Sequence, residues 1–249
     1  MAQTLTIMRK EWEDIKSTLF SYHKLQGGII PIILFCVAFG IYEPLKIGPD
    51  WLQSPVMVFS LAVLIPFIVI GSISPYSFVG ERERGTLEPL LVTPVSNHAI
   101  LFGKIGVAVF YGWGVTLVNL LLGVGSINII FNTGKFLLYP PGIVVPTLIL
   151  SLLFSILVAI IGTNSSFYAK TILDAQRNLV TMLFLPLVLP AFFAGPFMPE
   201  EWRSLIIRII ANSGAPNLFL ILIAPLFIVN GIFMVIAFAR FHRKLLMLE

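Results

Sequence analysis

The chain has 249 residues, of which 57% are hydrophobic and only 11% are charged. Soluble domains carry about 25% charged residues, so the composition excludes a water-soluble globular protein, together with the disordered, collagen-like and disulfide-rich classes. The net charge of +4 does not indicate a nucleic-acid partner, because no basic patch is interleaved with exposed aromatic residues. The sequence therefore predicts an all-α membrane protein whose residues 1–249 form a single transmembrane domain.

The N-terminal segment, about residues 4–24, is predicted to form an amphipathic helix at the membrane interface. Apolar residues recur there at steps of three and four, and charged residues occupy the other face. The apolar positions are Leu5, Met8, Trp12, Ile15, Leu19 and Tyr22. Two placements stay open, since such a helix can lie on the lipid or can dock on the protein's own cytoplasmic surface.

Six stretches are apolar enough to be read as membrane-spanning helices, which need about 20 mostly apolar residues each. They cover about residues 28–42, 55–80, 100–125, 143–168, 179–194 and 218–239. Lys104 lies near the start of the third stretch, where we expect its side chain to reach out to the lipid headgroups. The prediction is a six-helix bundle.

The distribution of lysine and arginine predicts that both termini are cytoplasmic. With six spans and this orientation, twelve of the basic residues fall inside and only four fall outside. The four outside residues are Lys46, Lys135, Arg203 and Arg208. The positive charge of the chain is therefore interpreted as the topology signal of a multi-pass protein of the cell membrane.

The densest charge cluster between spans is the 81–98 segment, which opens the run ERERGTLEPLLVTPVSNHAILFGK over residues 81–104. Gly85 allows a sharp turn, Thr86 can cap a short helix, and Pro94 ends it. The helix combines paired charges with apolar Leu87, Leu90 and Leu91. This combination suits docking into a groove of a soluble partner, but a loop packed on its own chain stays an equal alternative.

A short amphipathic helix is predicted at the outer surface over about residues 200–211, just before the last span. Glu200 and Glu201 suit its first turn, and Trp202 begins its apolar stripe. Such a helix either helps to shape an exit from the membrane or only caps the bundle.

Recognisable catalytic and metal-binding patterns are missing from the sequence. The three histidines, His23, His98 and His242, lie outside the spans, and no phosphate-binding G-x-x-x-x-G-K-[ST] run occurs. We therefore expect no enzyme activity, no metal site and no cofactor on this chain. The polar side chains of the spans that are candidates for a substrate pathway are Asn119, Asn164 and Asn230.

The run E-R-E-R-G-T-L-E-x-L-L-x-T-P-V-S resembles the signature of ABC-2 type transporter permeases. Three further elements are similar to that family: the K-E-W element in the N-terminal helix, the pair Gly103–Lys104, and the loop over residues 170–176. Pro89 departs mildly from the leucine-rich run that the family leads one to expect. The resemblance extends over nearly the whole chain, and residues 81–104 carry its most diagnostic part.

The resemblance implies a membrane subunit that is coupled to separate ATPase subunits. Two permease copies, or this chain and a sister permease, would form the pathway in the lipid bilayer, and ATP and Mg would bind to the cytoplasmic ABC ATPase partner. Export is the direction that the resemblance implies. The residues implied in coupling are Glu81, Arg82, Glu83, Arg84, Gly85, Thr86, Leu87, Glu88 and Leu91, with a second contact through Lys170, Asp174 and Arg177.

Two other interpretations of the sequence stay open beside this one. The first is a stand-alone secondary carrier or channel with six spans, which ionisable residues at membrane depth would favour. The second is an assembly or anchoring subunit that transports nothing.

Overall fold

The computed structural model of the chain describes residues 2–19, 29–131, 134–194, 200–201, 204 and 215–241. All regular secondary structure within these ranges is helical, as the sequence predicts. The helices are α1 (Ala2–Leu19), α2 (Ile29–Val37), α3 (Glu43–Ile47), α4 (Asp50–Gln53), α5 (Pro55–Ile73), α6 (Tyr76–Glu83), α7 (Leu87–Val92), α8 (Asn97–Phe131), α9 (Pro141–Ser165), α10 (Ile172–Ala194) and α11 (Ala215–Arg240). A π-helical turn, Ala38–Tyr42, joins α2 to α3.

Four helical stretches in the described part of the chain are long and apolar enough to cross a membrane. They are Pro55–Glu83, Asn97–Phe131, Pro141–Ser165 and Ile223–Arg240. These correspond to the second, third, fourth and sixth predicted spans. The first and fifth predicted spans coincide with the helical run that starts at α2 and with α10, and their crossing of the membrane remains a prediction.

Two predicted segments fall largely outside the described residues. The interfacial helix was expected to reach residue 24, and α1 is described as far as Leu19. Of the outer helix expected over residues 200–211, only Glu200, Glu201 and Ser204 are described, and all three are helical. Arg203 and Arg208, two of the four basic residues assigned to the outside, also lie outside the described residues.

The buried side chains form three successive clusters along α8. We call the two ends of the bundle the Trp51 end and the α7 end after the clusters found there. The Trp51 end contains Trp51, Leu52 and Tyr139, packed with Leu120 and Ile127 of α8. A middle cluster packs Ile105 and Ala108 of α8 against α5, α9 and α10. The α7 end contains Leu87, Leu90 and Leu91, packed with residues of α1, α6 and α8 and with Phe167 and Phe241.

Helix α1 packs directly against α8, so the structure realises the second of its two predicted placements. Trp12 meets the rings of Phe110 and Tyr111 edge-on, with centroids 6.1 and 6.2 Å away. Gly103 makes the close approach possible, because a Cβ atom there would lie 2.5 Å from Cγ2 of Ile7. Trp12 of the predicted apolar stripe therefore makes a contact within the chain, whereas Leu5 of the same stripe is 64% exposed.

Candidate functional site

The 81–98 segment consists of the end of α6, a tight turn and the short helix α7. Gly85 has a φ of +69°, a left-handed conformation that glycine adopts at little cost. The turn is closed by the backbone N–H of Thr86, which donates to the carbonyl of Glu81 at 2.9 Å. Helix α7 ends at Val92, and the next residue, Thr93, is extended, as expected for a residue that precedes a proline.

Thr86 takes the N-cap position of α7 without the side-chain bond that the sequence analysis expects. Its hydroxyl donates instead to the carbonyl of Glu81 at 3.3 Å. Both polar groups of Thr86 therefore fasten the start of α7 to the end of α6.

The apolar face of α7 is buried in the chain's own core. Leu87, Leu90 and Leu91 are 4%, 7% and 1% exposed, and they pack with Ile7, Phe78, Ile100, Leu101, Phe167 and Phe241. Burial of a leucine side chain stabilises a fold by about 1.5–3 kcal/mol. Of the two open interpretations of this segment, the structure realises the packed one for its leucines, so Leu87 and Leu91 anchor α7 to the bundle rather than offering themselves to a partner.

The opposite face of the segment is exposed and charged. Glu83, Arg84 and Glu88 are all exposed, as are Gly85, Thr86 and Pro89 between them. Val92, at the end of α7, is 76% exposed. A macromolecule that approaches this end of the bundle therefore meets a rim of mixed charge on a firmly packed helix.

Arg82 ties the 81–98 segment to the second predicted contact loop. Its Nη1 donates to the carbonyl of Ala169 and its Nη2 to the carbonyl of Phe167, both at 2.8 Å. Val79, Ala169 and Ala175 are buried together beside these bonds. The two segments, 87 residues apart in sequence at the Arg82–Ala169 bond, are therefore joined directly.

The residues predicted on the second loop lie around the start of α10. Lys170 and Arg177 are exposed, and Asp174 is half-buried. The hydroxyl of Thr171 donates to Asp174 Oδ2 at 2.8 Å and accepts from the Asp174 N–H at 3.2 Å. This reciprocal arrangement caps α10, so Asp174 has a structural task in the free chain.

Glu81 lies at the centre of a buried ionic network rather than on the surface. Its Oε1 accepts from Lys10 of α1 at 2.5 Å and lies 3.2 Å from Nζ of Lys104. Lys104 donates in turn to Glu11 Oε1 at 2.7 Å and to the carbonyl of Ser77 at 2.8 Å. We call Lys10, Glu11, Glu81 and Lys104 the ionic cluster.

The expected extension of Lys104 to the lipid headgroups is wrong. Its side chain is only 1% exposed, and its Nζ lies 5.0 Å from the centroid of the Phe78 ring. A lysine in an apolar stretch extends its ammonium group to the membrane–water interface when the protein offers that group no anion. Here two carboxylates and a carbonyl lie within reach, and the ammonium group stays inside.

The ionic cluster was not predicted from the sequence, although one signal for it was present. A lysine within an apolar stretch needs a partner, and Glu11 belongs to the K-E-W element already singled out. Glu11, Asp14 and Glu81 bring carboxylate oxygens within 4.8 Å of one another, the one such acidic group found among the described residues. The ammonium groups of Lys10 and Lys104 bind two of these carboxylates, in the role that a metal ion would take.

The three asparagines proposed for a substrate pathway are buried at different helix contacts. Asn230 donates to the carbonyls of Leu153 and Leu226 at 3.1 and 2.8 Å. Asn164 lies near the end of α9, where its backbone carbonyl accepts from the Phe167 N–H at 3.3 Å. Asn119 lies on α8 opposite the π-helical turn, close to Gly40. A pathway role for any of them stays a prediction.

An apolar groove of about 450 Å³ runs between α3, the π-helical turn and the second half of α8. Its lining residues are Ile41, Leu45, Val118, Leu121, Leu122, Gly125, Ser126, Ile129 and Ile130. The groove is almost wholly hydrocarbon, so it offers shape and no charge to whatever fills it.

The part of the chain that contains the 81–98 segment is similar to a known protein family. Residues 22–140 match the family described as ABC-2 family transporter protein, a range that contains the 81–98 segment and Lys104. The resemblance to ABC-2 type permeases is confirmed. The ABC-2 match suggests a membrane permease subunit of an ABC transporter, which is a non-catalytic transport subunit.

A second comparison points the same way. The chain is 24% identical over 156 residues to "ABC transporter permease protein NatB" of Bacillus subtilis (strain 168). The aligned part amounts to 57% of this chain and to 39% of that permease. The chain therefore spans well under half the length of the relative that it matches.

Proposed function

We propose that this chain is the membrane-spanning subunit of an ATP-driven ABC-2 exporter, coupled to separate cytoplasmic ATPase subunits through the 81–98 segment. Two permease copies, or this chain and a sister permease, form the pathway. ATP and Mg bind to the partner, and this chain supplies no catalytic group. Both termini lie in the cytoplasm of a cell whose membrane the chain crosses several times.

The observation that carries the proposal is the composite surface made by α7 and the second loop. Arg82 joins the two predicted contact segments through two carbonyl oxygens, and the leucines of α7 fix that helix to the bundle. A force applied to the exposed face of α7 therefore reaches the long helices instead of deforming a loose loop. That is the mechanical property that a coupling element needs.

The charges on this surface suit a soluble protein partner. Glu83 and Glu88 offer anions, while Arg84, Lys170 and Arg177 offer cations, and all five are exposed. Exposed charge pairs across an interface set the register and the rate of association more than the affinity. We therefore assign affinity to the backbone and apolar contacts around Pro89 and Val92, and alignment to the charges.

The first experiment is an affinity purification of the tagged chain from native-host membranes in mild detergent. We expect a soluble ATPase to co-purify and to show vanadate-sensitive ATP turnover. A chain that purifies alone, without ATPase activity at any detergent concentration, would contradict the proposal. Ion flux in liposomes would then test the carrier or channel interpretation.

Two variants then test the coupling surface. Glu83→Lys reverses an exposed charge, and Gly85→Val places a branched residue at a positive φ, which strains the turn. We expect both chains to fold and to lose partner-coupled ATP turnover. Asp50→Lys, a charge reversal at another exposed position near the Trp51 end, is the matched control and should couple normally. A Glu83→Lys chain that couples at the wild-type rate would show that the surface is wrongly assigned.

A further inference from the structure

We propose that Lys104 is a positioning residue that joins α1 to the base of the coupling segment, so that α1, α6 and the start of α8 move as one unit when a partner acts on α7. This inference rests on the proposed function and deepens it. It assigns a role in coupling to α1 and to the Gly103–Lys104 pair, in addition to the residues of the 81–98 segment.

The contacts form an unbroken series from α7 to α1. The Thr86 N–H, at the start of α7, donates to the carbonyl of Glu81 at 2.9 Å. The Glu81 carboxylate lies 3.2 Å from Nζ of Lys104, and Lys104 binds Glu11 of α1 at 2.7 Å. Every step is a directional polar contact, so a displacement at one end changes the geometry of the next.

Lys104 is suited to hold α1, α6 and α8 in one geometry because its ammonium group is buried and fully hydrogen-bonded. Its Nζ meets Glu11, Glu81 and the carbonyl of Ser77. An ammonium group has three hydrogens to donate, and a buried charge that loses a partner is costly. The network therefore resists partial opening, and the three elements either stay joined or separate together.

Gly103 completes the arrangement by letting α1 lie against α8. A Cβ atom at this position would come within 2.8 Å of the Ile7 Cβ and within 3.5 Å of the Thr4 carbonyl. The small residue brings the helix backbones together, and the following lysine supplies the charge that fastens them. Gly103 and Lys104 therefore both serve to attach α1 to α8, which gives a physical reason for their adjacency in the sequence.

The test measures position and coupling separately. Spin labels are placed on Glu13 of α1 and Val92 of α7, both exposed, in a background in which the single cysteine, Cys36, is replaced by alanine. Pulsed electron resonance gives the distance distribution in the purified permease, whether or not a partner is present. Partner-coupled ATP turnover is measured in the co-purified complex.

We expect Lys104→Met to broaden the distance distribution and to lower coupled ATP turnover by about tenfold, within the usual range of coupling between sites. Lys16→Met removes a lysine from an exposed position of α1, the helix that Lys104 contacts through Glu11, and should leave both readouts unchanged. A Lys104→Met chain with the wild-type distance distribution would overturn the inference.

A double variant separates positioning from mere stability. Lys104→Met with Glu11→Met removes one cation and one anion, leaves the Lys10–Glu81 pair intact, and should restore the thermal stability. We expect its distances to stay broad and its coupling to stay low, and it carries the test if the single variant fails to fold. Wild-type coupling in the double variant would mean that the cluster only stabilises the fold. If no ATPase co-purifies with the wild-type chain, the proposed function fails, while the distance measurement still decides whether Lys104 holds α1.

Discussion

The two ends of the bundle are held together by different kinds of contact. At the α7 end the buried charges meet opposite charges or carbonyls, as Lys104 and Glu81 do. At the Trp51 end the buried polar groups are neutral, and Trp51 Nε1, Tyr139 OH and the side-chain amide of Asn119 have no hydrogen-bond partner in the described part of the chain. The α7 end therefore depends on charge pairs, although Glu81 Oε2 and Arg82 Nε have no partner among the described residues. The Trp51 end depends on packing and on neutral hydrogen bonds, such as those of Asn128 with the backbone of Val124 and Leu137.

The chemistry of Tyr139 illustrates how apolar the Trp51 end is. Burial raises the pKa of Tyr139 to about 12. Desolvation disfavours the charged form of a side chain, so the phenol stays neutral at every physiological pH. The apolar groove beside α8 belongs to the same region.

Of the substitutions that distinguish the α7 end from the Trp51 end, we expect the largest loss of stability at Lys104. Removing one partner from a buried ionic network costs about 3–5 kcal/mol, so Lys104→Met should lower the thermal midpoint of the detergent-solubilised chain markedly. Lys46→Met, at an exposed position of α3 near the Trp51 end, is the control and should change little. Equal losses in the two variants would show that the α7 end is not specially dependent on its charges.

A smaller change in stability is expected from substitution of two glycines on α8. Gly103→Ala pushes a methyl group into Ile7, and such overpacking costs about 1–3 kcal/mol. Gly125→Ala lies beside the groove with no atom within 4 Å of the new methyl, and it should leave stability unchanged or raise it by up to about 1 kcal/mol. Thermal unfolding of both variants checks the pair, and a destabilised Gly125→Ala chain would argue against an open Trp51 end.

The smallest effect is expected at the buried asparagines. Asn119→Val removes two unpaired polar atoms and should stabilise the chain by about 1 kcal/mol, because an unsatisfied buried group carries a desolvation cost. Asn230→Val breaks two hydrogen bonds to carbonyls and should destabilise the chain by a similar amount. A loss of stability at Asn119 would mean that its amide is paired in the membrane.

Local features of the site could be predicted from the sequence because they depend on residues that are adjacent along the chain. The turn at Gly85 and a helix that begins after Thr86 follow from residue types alone. The apolar stripe of α1 was also readable, since a period of three to four residues marks one face of a helix. The family resemblance came from the same contiguous run, residues 81–104.

The contacts that join these features could not be predicted. Periodicity shows that α1 has an apolar face, but it does not say which helix covers that face. The Lys104–Glu11 pair spans 93 positions, and Arg82 finds backbone carbonyls, which every residue has. Burial of Leu87 and Leu91 was likewise undecidable, because an apolar stripe looks the same whether its own chain or a partner covers it.

The ionic cluster has one further property that follows from its composition. Two lysines and two glutamates sum to zero formal charge, and they are held within hydrogen-bond distance of one another. A membrane potential does work of about 2.3 kcal/mol per 100 mV on each net charge that it moves, and it does almost none on a neutral group. Movement of the four cluster residues alone therefore does almost no electrical work, whereas the neighbouring carboxylate of Asp14 adds a net charge to whatever moves with them.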